Sequence, residues 1–138
     1  MTENQKENLN NRMIKFLFEG APVRGACVQM AEEWQEMIKF HHYPENVAAL
    51  LGQFTAGALL LSSTIKFEGS LILQVKGSGP IAFIYAEVRN PMSVRAMAEI
   101  REGAEIKPEM DLQELINKDG KGLCALILDP KDRRPGVQ

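Results

Sequence analysis

The longest uncharged run in the chain lies in its middle. Between Glu45 and Lys66, the 20 residues 46–65 carry no ionisable side chain, and 12 of them are apolar. These apolar positions fall on every side of a helical wheel, and a helix that is apolar all round is buried. Pro44 suits the first helical position, where a missing backbone N–H costs nothing. The pattern predicts a central core helix.

A membrane span is the alternative interpretation of this run, because about 20 apolar residues cross a bilayer. The polar residues Asn46, Gln53 and Thr55 and the cluster Ser62-Ser63-Thr64 disfavour a span. Neither flank carries the positively charged cluster that orients insertion. We therefore expect a soluble core helix and no membrane partner.

Alternating or continuous apolar positions predict strands on both sides of this helix. The turn at 77–80 leads directly from one predicted strand into the next, which indicates a hairpin. Residues 123–128 are almost wholly apolar, as expected of a central strand covered on both faces. The predicted strands are 12–18, 23–30, 70–76, 81–88, 94–100 and 123–128.

Two further helices are predicted, and they complete the fold class. Trp34, Met37, Ile38 and His41 recur at helical spacing, which predicts an amphipathic surface helix over 31–41. Asp111 and Glu114 have the spacing of a capping box, which predicts a short helix through 112–116. Because the strands arrive in hairpins, we expect an α+β fold, with mostly antiparallel sheet packed around the buried central helix.

Composition narrows the class of protein. A chain of 138 residues is sized for one domain, and its formal charge of −2 does not indicate a nucleic-acid partner. Residues 1–11 are polar and are expected to be disordered; they contain no apolar signal core, so cytoplasm is the expected location. Cys27 and Cys124 sit in apolar runs without a CxxC spacing, so buried thiols are expected.

The motifs that resemble chemical sites have better structural explanations. Residues 77–82 match the dinucleotide pattern G-x-G-x-x-A, but that site needs a helix N-terminus, and the residues from Ile81 onward predict a strand. Adjacent residues on a helix point in different directions, so His41 and His42 are poor co-ligands for one metal. No constellation of acid, base and nucleophile is evident, and we predict no catalytic, cofactor or metal site.

Several separated segments resemble one known family. They are Val23-Arg24-Gly25, Trp34, Tyr43-Pro44, the run LLSSTIKFEG that ends at Gly69, Gln74, and Gly77-Ser78-Gly79-Pro80. In this order and spacing they resemble the 33 kDa chaperonin family, the redox-regulated heat-shock holdases of bacteria. The similarity extends from about Arg12 to the end of the chain.

The resemblance implies a cytoplasmic chaperone that binds unfolding proteins under oxidative stress without ATP and is active as a homodimer. The family's redox switch is a C-terminal zinc domain with cysteines in C-x-C and C-x-x-C pairs. Those pairs do not occur here, so we expect no cofactor in this chain. Residues 12–138 are expected to be the family's N-terminal chaperone domain, truncated at its C-terminal end.

A holdase needs exposed apolar surface, and contiguous patches beyond a few hundred Å² are unusual on a monomer unless they are functional. We expect outward-facing positions on the 70–76 and 81–88 strands to bind clients, although ordinary core positions fit the same pattern. A structural or dimerisation module without client affinity is the alternative function, and an enzyme with dispersed catalytic groups is a third. The candidate client-binding residues are Leu71, Leu73, Val75, Ile81, Phe83 and Tyr85.

Overall fold

The computed structural model describes residues 12–65, 68–89 and 93–130. The expected disordered segment 1–11 lies outside the described residues, as do Lys66 and Phe67 of the family-like run. The elements in chain order are β1 (Arg12–Leu17), β2 (Arg24–Gln29), α1 (Glu32–Lys39), α2 (Glu45–Thr64), β3 (Gly69–Lys76), β4 (Ile81–Arg89), β5 (Ser93–Ile100), α3 (Leu112–Ile116) and β6 (Leu123–Pro130).

The described strands form two antiparallel sheets. β1 and β2 pair as a separate hairpin, and the other four strands form a sheet in the order β5-β4-β3-β6. β3 and β4 are the predicted hairpin, and the sheet packs with one long core helix, one surface helix and one short helix. The predicted α+β fold class is confirmed.

Helix α2 begins at Glu45, and Pro44 is its N-cap rather than its first helical residue. The helix contacts β2 of the hairpin and strands β3, β4 and β5 of the larger sheet. Its buried residues, such as Leu51 and Leu59, lie toward those strands, whereas Gln53 is exposed. The helix is therefore buried along one side, although its sequence is apolar on every side. Its length and composition alone would also suit a membrane span.

The core divides into two clusters along α2. Residues from the first half of the helix pack with β4, β5 and α3, and residues from the second half pack with β3 and β4. The buried members of the first cluster are Val47, Leu50, Leu51, Ile81, Ile84, Ala98, Leu115 and Ile116. The buried members of the second are Ala58, Leu59, Leu71, Ala86 and Val88.

The turn between β3 and β4 packs closely on α3. A Cβ atom on Gly79 would lie 2.6 Å from the carbonyl oxygen of Leu115, so this glycine permits the close approach. The Ser78 N–H donates to the carbonyl of Ile116 at 2.7 Å, and the Arg101 guanidinium donates to the carbonyl of Gly77 at 3.0 Å. The glycines that match a dinucleotide motif thus serve a tight hairpin turn that is followed by a strand.

Helix α3 begins as its capping pattern predicts. The Glu114 N–H donates to Oδ1 of Asp111 at 2.9 Å, and this bond satisfies one of the backbone N–H groups that a helix leaves unpaired at its start. The amide of Asn46 on α2 donates to the carbonyl of Lys107 at 3.0 Å. That contact fixes the segment preceding α3 against the start of α2.

The prediction that 123–128 form a central strand is wrong. β6 lies at the end of the sheet and pairs with β3 alone among the described strands. Leu123, Leu126 and Leu128 are 64%, 47% and 45% exposed. The prediction of buried thiols is also wrong, because Cys124 on β6 and Cys27 on β2 are both exposed. An apolar run predicts cover on both faces, but the main contacts of α2 are with β2, β3, β4 and β5.

Candidate functional site

The pairing register divides the larger sheet into two faces. Residues that pair across antiparallel strands share a face, and successive residues alternate between faces. Leu71, Leu73 and Val75 pair with Val88, Ala86 and Ile84, and all six belong to or pack against the core clusters beneath α2. This face of the sheet is the core face.

The six candidate client-binding residues therefore separate into two groups. Leu71 and Ile81 are 1% and 0% exposed in the core, and Leu73 and Val75 pack against it. Phe83 and Tyr85 lie on the opposite face, are partly exposed, and stack with ring centroids 6.3 Å apart and an interplanar angle of 20°. Of the six candidates, this aromatic pair alone stands on the surface turned away from α2.

We call that surface the open face. Its apolar side chains come from all four strands. The register places Lys76 and Glu99 on either side of Phe83, and it places Gln74 and Met97 on either side of Tyr85. Met97 and Ile127 are among the exposed large hydrophobic residues. The open face comprises Ile72, Gln74, Lys76, Phe83, Tyr85, Glu87, Arg95, Met97, Glu99, Leu123, Ala125 and Ile127.

A short polar network lies within the open face. The Tyr85 hydroxyl donates to Oε2 of Glu87 at 2.6 Å, and Nε of Arg89 donates to Oε1 at 3.1 Å. Burial, and then the hydrogen bond to Glu87, raise the pKa of Tyr85 to about 12. The same hydrogen bond, assisted by Arg89, lowers the pKa of Glu87 below 4.5, although burial opposes the shift. Both oxygens of the carboxylate are engaged, so its role here is structural.

A second apolar surface lies on the β1–β2 hairpin. Ile14, Phe16 and Phe18 are exposed, and the rings of Phe16 and Phe18 meet edge to face at 5.8 Å. The Phe16 ring lies over Gly25, where a Cβ atom would collide with it. The alternation of Ile14, Phe16 and Phe18 was visible in the sequence as an apolar face, but sequence reasoning did not assign it to a binding surface.

Between this hairpin and the C-terminal end of α2 lies a groove of about 730 Å³. Its lining combines apolar side chains with two basic residues and two hydroxyl groups. The hydroxyls of Ser63 and Thr64 donate to carbonyls of the helix itself, at 2.7 and 2.8 Å. The lining includes Lys15, Phe16, Leu17, Arg24, Leu60, Ser63 and Thr64.

Residues 12–65, 68–89 and 93–130 contain no group of side chains arranged as a metal site. Within those ranges no three His, Cys, Asp or Glu side chains come together to hold an ion. The His41 ring stacks on Tyr43 with centroids 5.2 Å apart. The orientation of the His41 ring is therefore set by an aromatic contact.

Comparison with known proteins supplies the family. The family model described as "Hsp33 protein" matches residues 11–137. A protein named 33 kDa chaperonin from Neisseria gonorrhoeae is 39% identical over 128 residues, which cover 93% of this chain and 42% of that relative. Proteins of the same name from Aliivibrio salmonicida and Chromobacterium violaceum are 38% and 36% identical, over 89% and 90% of this chain and 40% of each relative.

The chain spans about two fifths of the length of these curated relatives. The family match covers nearly the whole of the chain and includes all the family-like segments of the sequence. The chain belongs to the Hsp33 family of chaperones.

Proposed function

We propose that residues 12–138 form the client-binding domain of an ATP-independent holdase chaperone that binds unfolding proteins under oxidative stress. The observation that supports it best is the open face, where a sheet whose other side forms the core carries a stacked aromatic pair together with the exposed side chains of Met97 and Ile127. Such a surface can bury apolar segments of many sequences, because burial of apolar area is not directional.

The proposal has several parts. Phe83 and Tyr85 make the client contacts of the open face, and Leu73 and Val75 support it from the core side. The chain acts in the cytoplasm as a homodimer, without a cofactor of its own, without enzymatic activity, and without nucleic-acid or membrane partners. The zinc-dependent redox switch belongs to the portion of the longer relatives that this chain does not match.

A dimerisation module without client affinity is the second candidate. The second apolar surface, on the β1–β2 hairpin, favours it, because Ile14, Phe16 and Phe18 are 44%, 42% and 57% exposed. Exposed apolar patches of this kind mark protein interfaces as readily as client surfaces.

Light scattering by an aggregating protein separates the two candidates. An unfolded enzyme is diluted from denaturant with and without the chain, and the mass of the chain in solution is measured in parallel. Suppressed scattering at near-stoichiometric amounts supports the holdase function. A dimer that gives no protection overturns the holdase function and supports the second candidate.

A further inference from the structure

Helix α1 is held less firmly than the other helices. None of its 8 residues, all of which are described, is buried, whereas α2 and α3 both contribute buried residues to the core. Isolated helices shorter than about 12–15 residues are marginal in water, so α1 depends on docking for its stability. Its N-cap is an alanine, which lacks the side-chain oxygen that caps many helices.

Trp34 joins α1 to the core helix. Its indole N–H donates to the carbonyl of Ala48 at 3.3 Å, and the ring lies against Gly52, where a Cβ atom would come within 2.7 Å of Nε1. Helix α1 also contacts β5. Oε2 of Glu33 on α1 is shielded from solvent and has no hydrogen-bond partner among the described residues, which costs stability. The docking of α1 therefore combines one long hydrogen bond and one ring contact with an unpaired carboxylate oxygen.

The chain is anchored on both sides of α1. Met30, before the helix, packs against the second core cluster, and Tyr43, after it, packs against the first. The hydroxyl of Tyr43 also accepts a hydrogen bond from the backbone N–H of Ala98 at 3.2 Å, and the His41 ring stacks on the Tyr43 ring. Because both anchors hold, α1 can leave its place while the sheet and α2 keep theirs. Only the residues between Met30 and Tyr43 must move.

We propose that α1 is a strap that detaches as a unit on heating, before the rest of the chain unfolds, and thereby uncovers apolar surface for unfolding clients. The inference rests on the proposed holdase function and extends it by naming an element that regulates it. Segments that bury few apolar contacts open at a lower free energy than the core does. An element that opens on heating would expose this surface under the same conditions in which clients unfold.

The surface that opening adds is apolar on both partners. On α1, the half-buried side chains of Trp34, Met37 and Ile38 recur at helical spacing and lose their cover. On α2, Ala48 and Gly52 lose the indole, and this helix carries no charge from residue 46 to its end. Apolar segments of many sequences can bury such a surface, because burial of apolar area is not directional.

Tryptophan fluorescence tests the opening directly, because Trp34 is the only tryptophan of the chain. We expect its emission to shift to the red on heating with a midpoint several degrees below the midpoint of the far-ultraviolet circular dichroism. Hydrogen exchange should be at least about tenfold faster for the amides of α1 than for those in the middle of α2. Fluorescence and dichroism transitions that coincide would overturn the proposal, since they would show a single cooperative unit.

Two matched variants at one exposed position isolate the strap. The Gln35 N–H donates to the carbonyl of Ala31 at 3.1 Å, so Gln35→Pro removes this bond and breaks α1, whereas Gln35→Ala preserves the helix. We expect Gln35→Pro to show red-shifted Trp34 emission at 25 °C and a dichroism midpoint within a few degrees of wild type. Gln35→Ala should match wild type in both measurements. Global unfolding of Gln35→Pro, or an unshifted Trp34 emission in it, would overturn the proposal.

Light scattering by an aggregating protein tests the role of the strap and separates it from the proposed function. We expect the wild type to protect several-fold better above the Trp34 midpoint than below it, and Gln35→Pro to protect well at both temperatures. Equal protection by both proteins at both temperatures retains the holdase function and overturns the role of the strap. No protection by either protein overturns the holdase function, and the client role of the strap with it.

Discussion

The Tyr85 hydroxyl and the Glu87 carboxylate form a 2.6 Å hydrogen bond on one face of β4. The bond stabilises the ionised carboxylate and the neutral phenol together, so it shifts the two pKa values in opposite directions. It also holds the Tyr85 ring beside Phe83. The open face therefore depends on a polar contact for the orientation of an apolar pair.

The first prediction concerns alkaline pH. The pKa of Tyr85 is raised from 10.0 to about 12 in the folded chain, so its contribution to stability is complete below pH 10 and is lost as pH rises toward 12. We expect the urea-unfolding free energy to fall across that range more steeply than in Tyr85→Phe, which serves as the reference. Parallel pH profiles for the two proteins would contradict the shift.

The second prediction concerns acid. The pKa of Glu87 is lowered below 4.5 by folding, so its contribution is present above pH 4.5 and is lost as pH falls through the folded-state value. Glu87→Gln should cost about 1–3 kcal/mol at neutral pH, because it weakens hydrogen bonds to a charged group. The difference from wild type should narrow in acid. A difference that stays constant down to about pH 3 would contradict this assignment.

The third prediction separates core from surface among the candidate client-binding residues. Leu71 is 1% exposed, so Leu71→Ala should lower the unfolding free energy by about 2–5 kcal/mol. Phe83→Ala should cost less stability but should reduce protection of an aggregating protein. Urea unfolding and light scattering on the same preparations measure both effects. Full protection by Phe83→Ala would remove Phe83 from the client surface.

The fourth prediction compares two glycines within α2. A Cβ on Gly52 would lie 2.7 Å from Nε1 of Trp34, and the indole N–H donates to the carbonyl of Ala48 at 3.3 Å. Gly52→Ala should therefore destabilise the chain, by about 1–3 kcal/mol as overpacking does. A Cβ on Gly57 would meet no atom within 4 Å, so Gly57→Ala should stabilise by about 0.5–1 kcal/mol. Thermal melts of the two variants should shift in opposite directions.

The fifth prediction concerns the thiols. Cys27 and Cys124 are exposed and unpaired, so both should react with a thiol reagent in the native chain. Cys27→Ser and Cys124→Ser assign the two reactions. A thiol that reacts only after denaturant is added would show that its cysteine is buried, which contradicts the exposure observed here.

The sequence was sufficient for the secondary structure and the family. The uncharged run predicts α2, the alternation of Leu71, Leu73 and Val75 predicts one face of β3, and Asp111 predicts the start of α3. These signals are local, since they depend on period and on capping chemistry. The family is indicated by the order and spacing of several separated segments, and this information is not contained in local patterns.

Burial was less predictable, because the burial of a residue depends on which helices or strands pack over it. β6 has the composition of a covered strand, yet the main contacts of α2 are with other strands, and the cysteine of β6 is exposed. The division of the candidate residues between Leu71 on the core face and Phe83 on the open face follows from the pairing register. A register is a long-range relationship that a single sequence does not reveal.

The hydroxyl of Tyr43 on the backbone of Ala98 has a consequence for assembly. A sheet with two free edges can polymerise, since each added molecule offers a new edge to the next. Here the molecule's own tyrosine takes up a backbone N–H of β5, the strand at one end of the described sheet, so a foreign strand could not form a complete ladder there. Strand β5 is thereby a poor template for a strand of a neighbouring molecule.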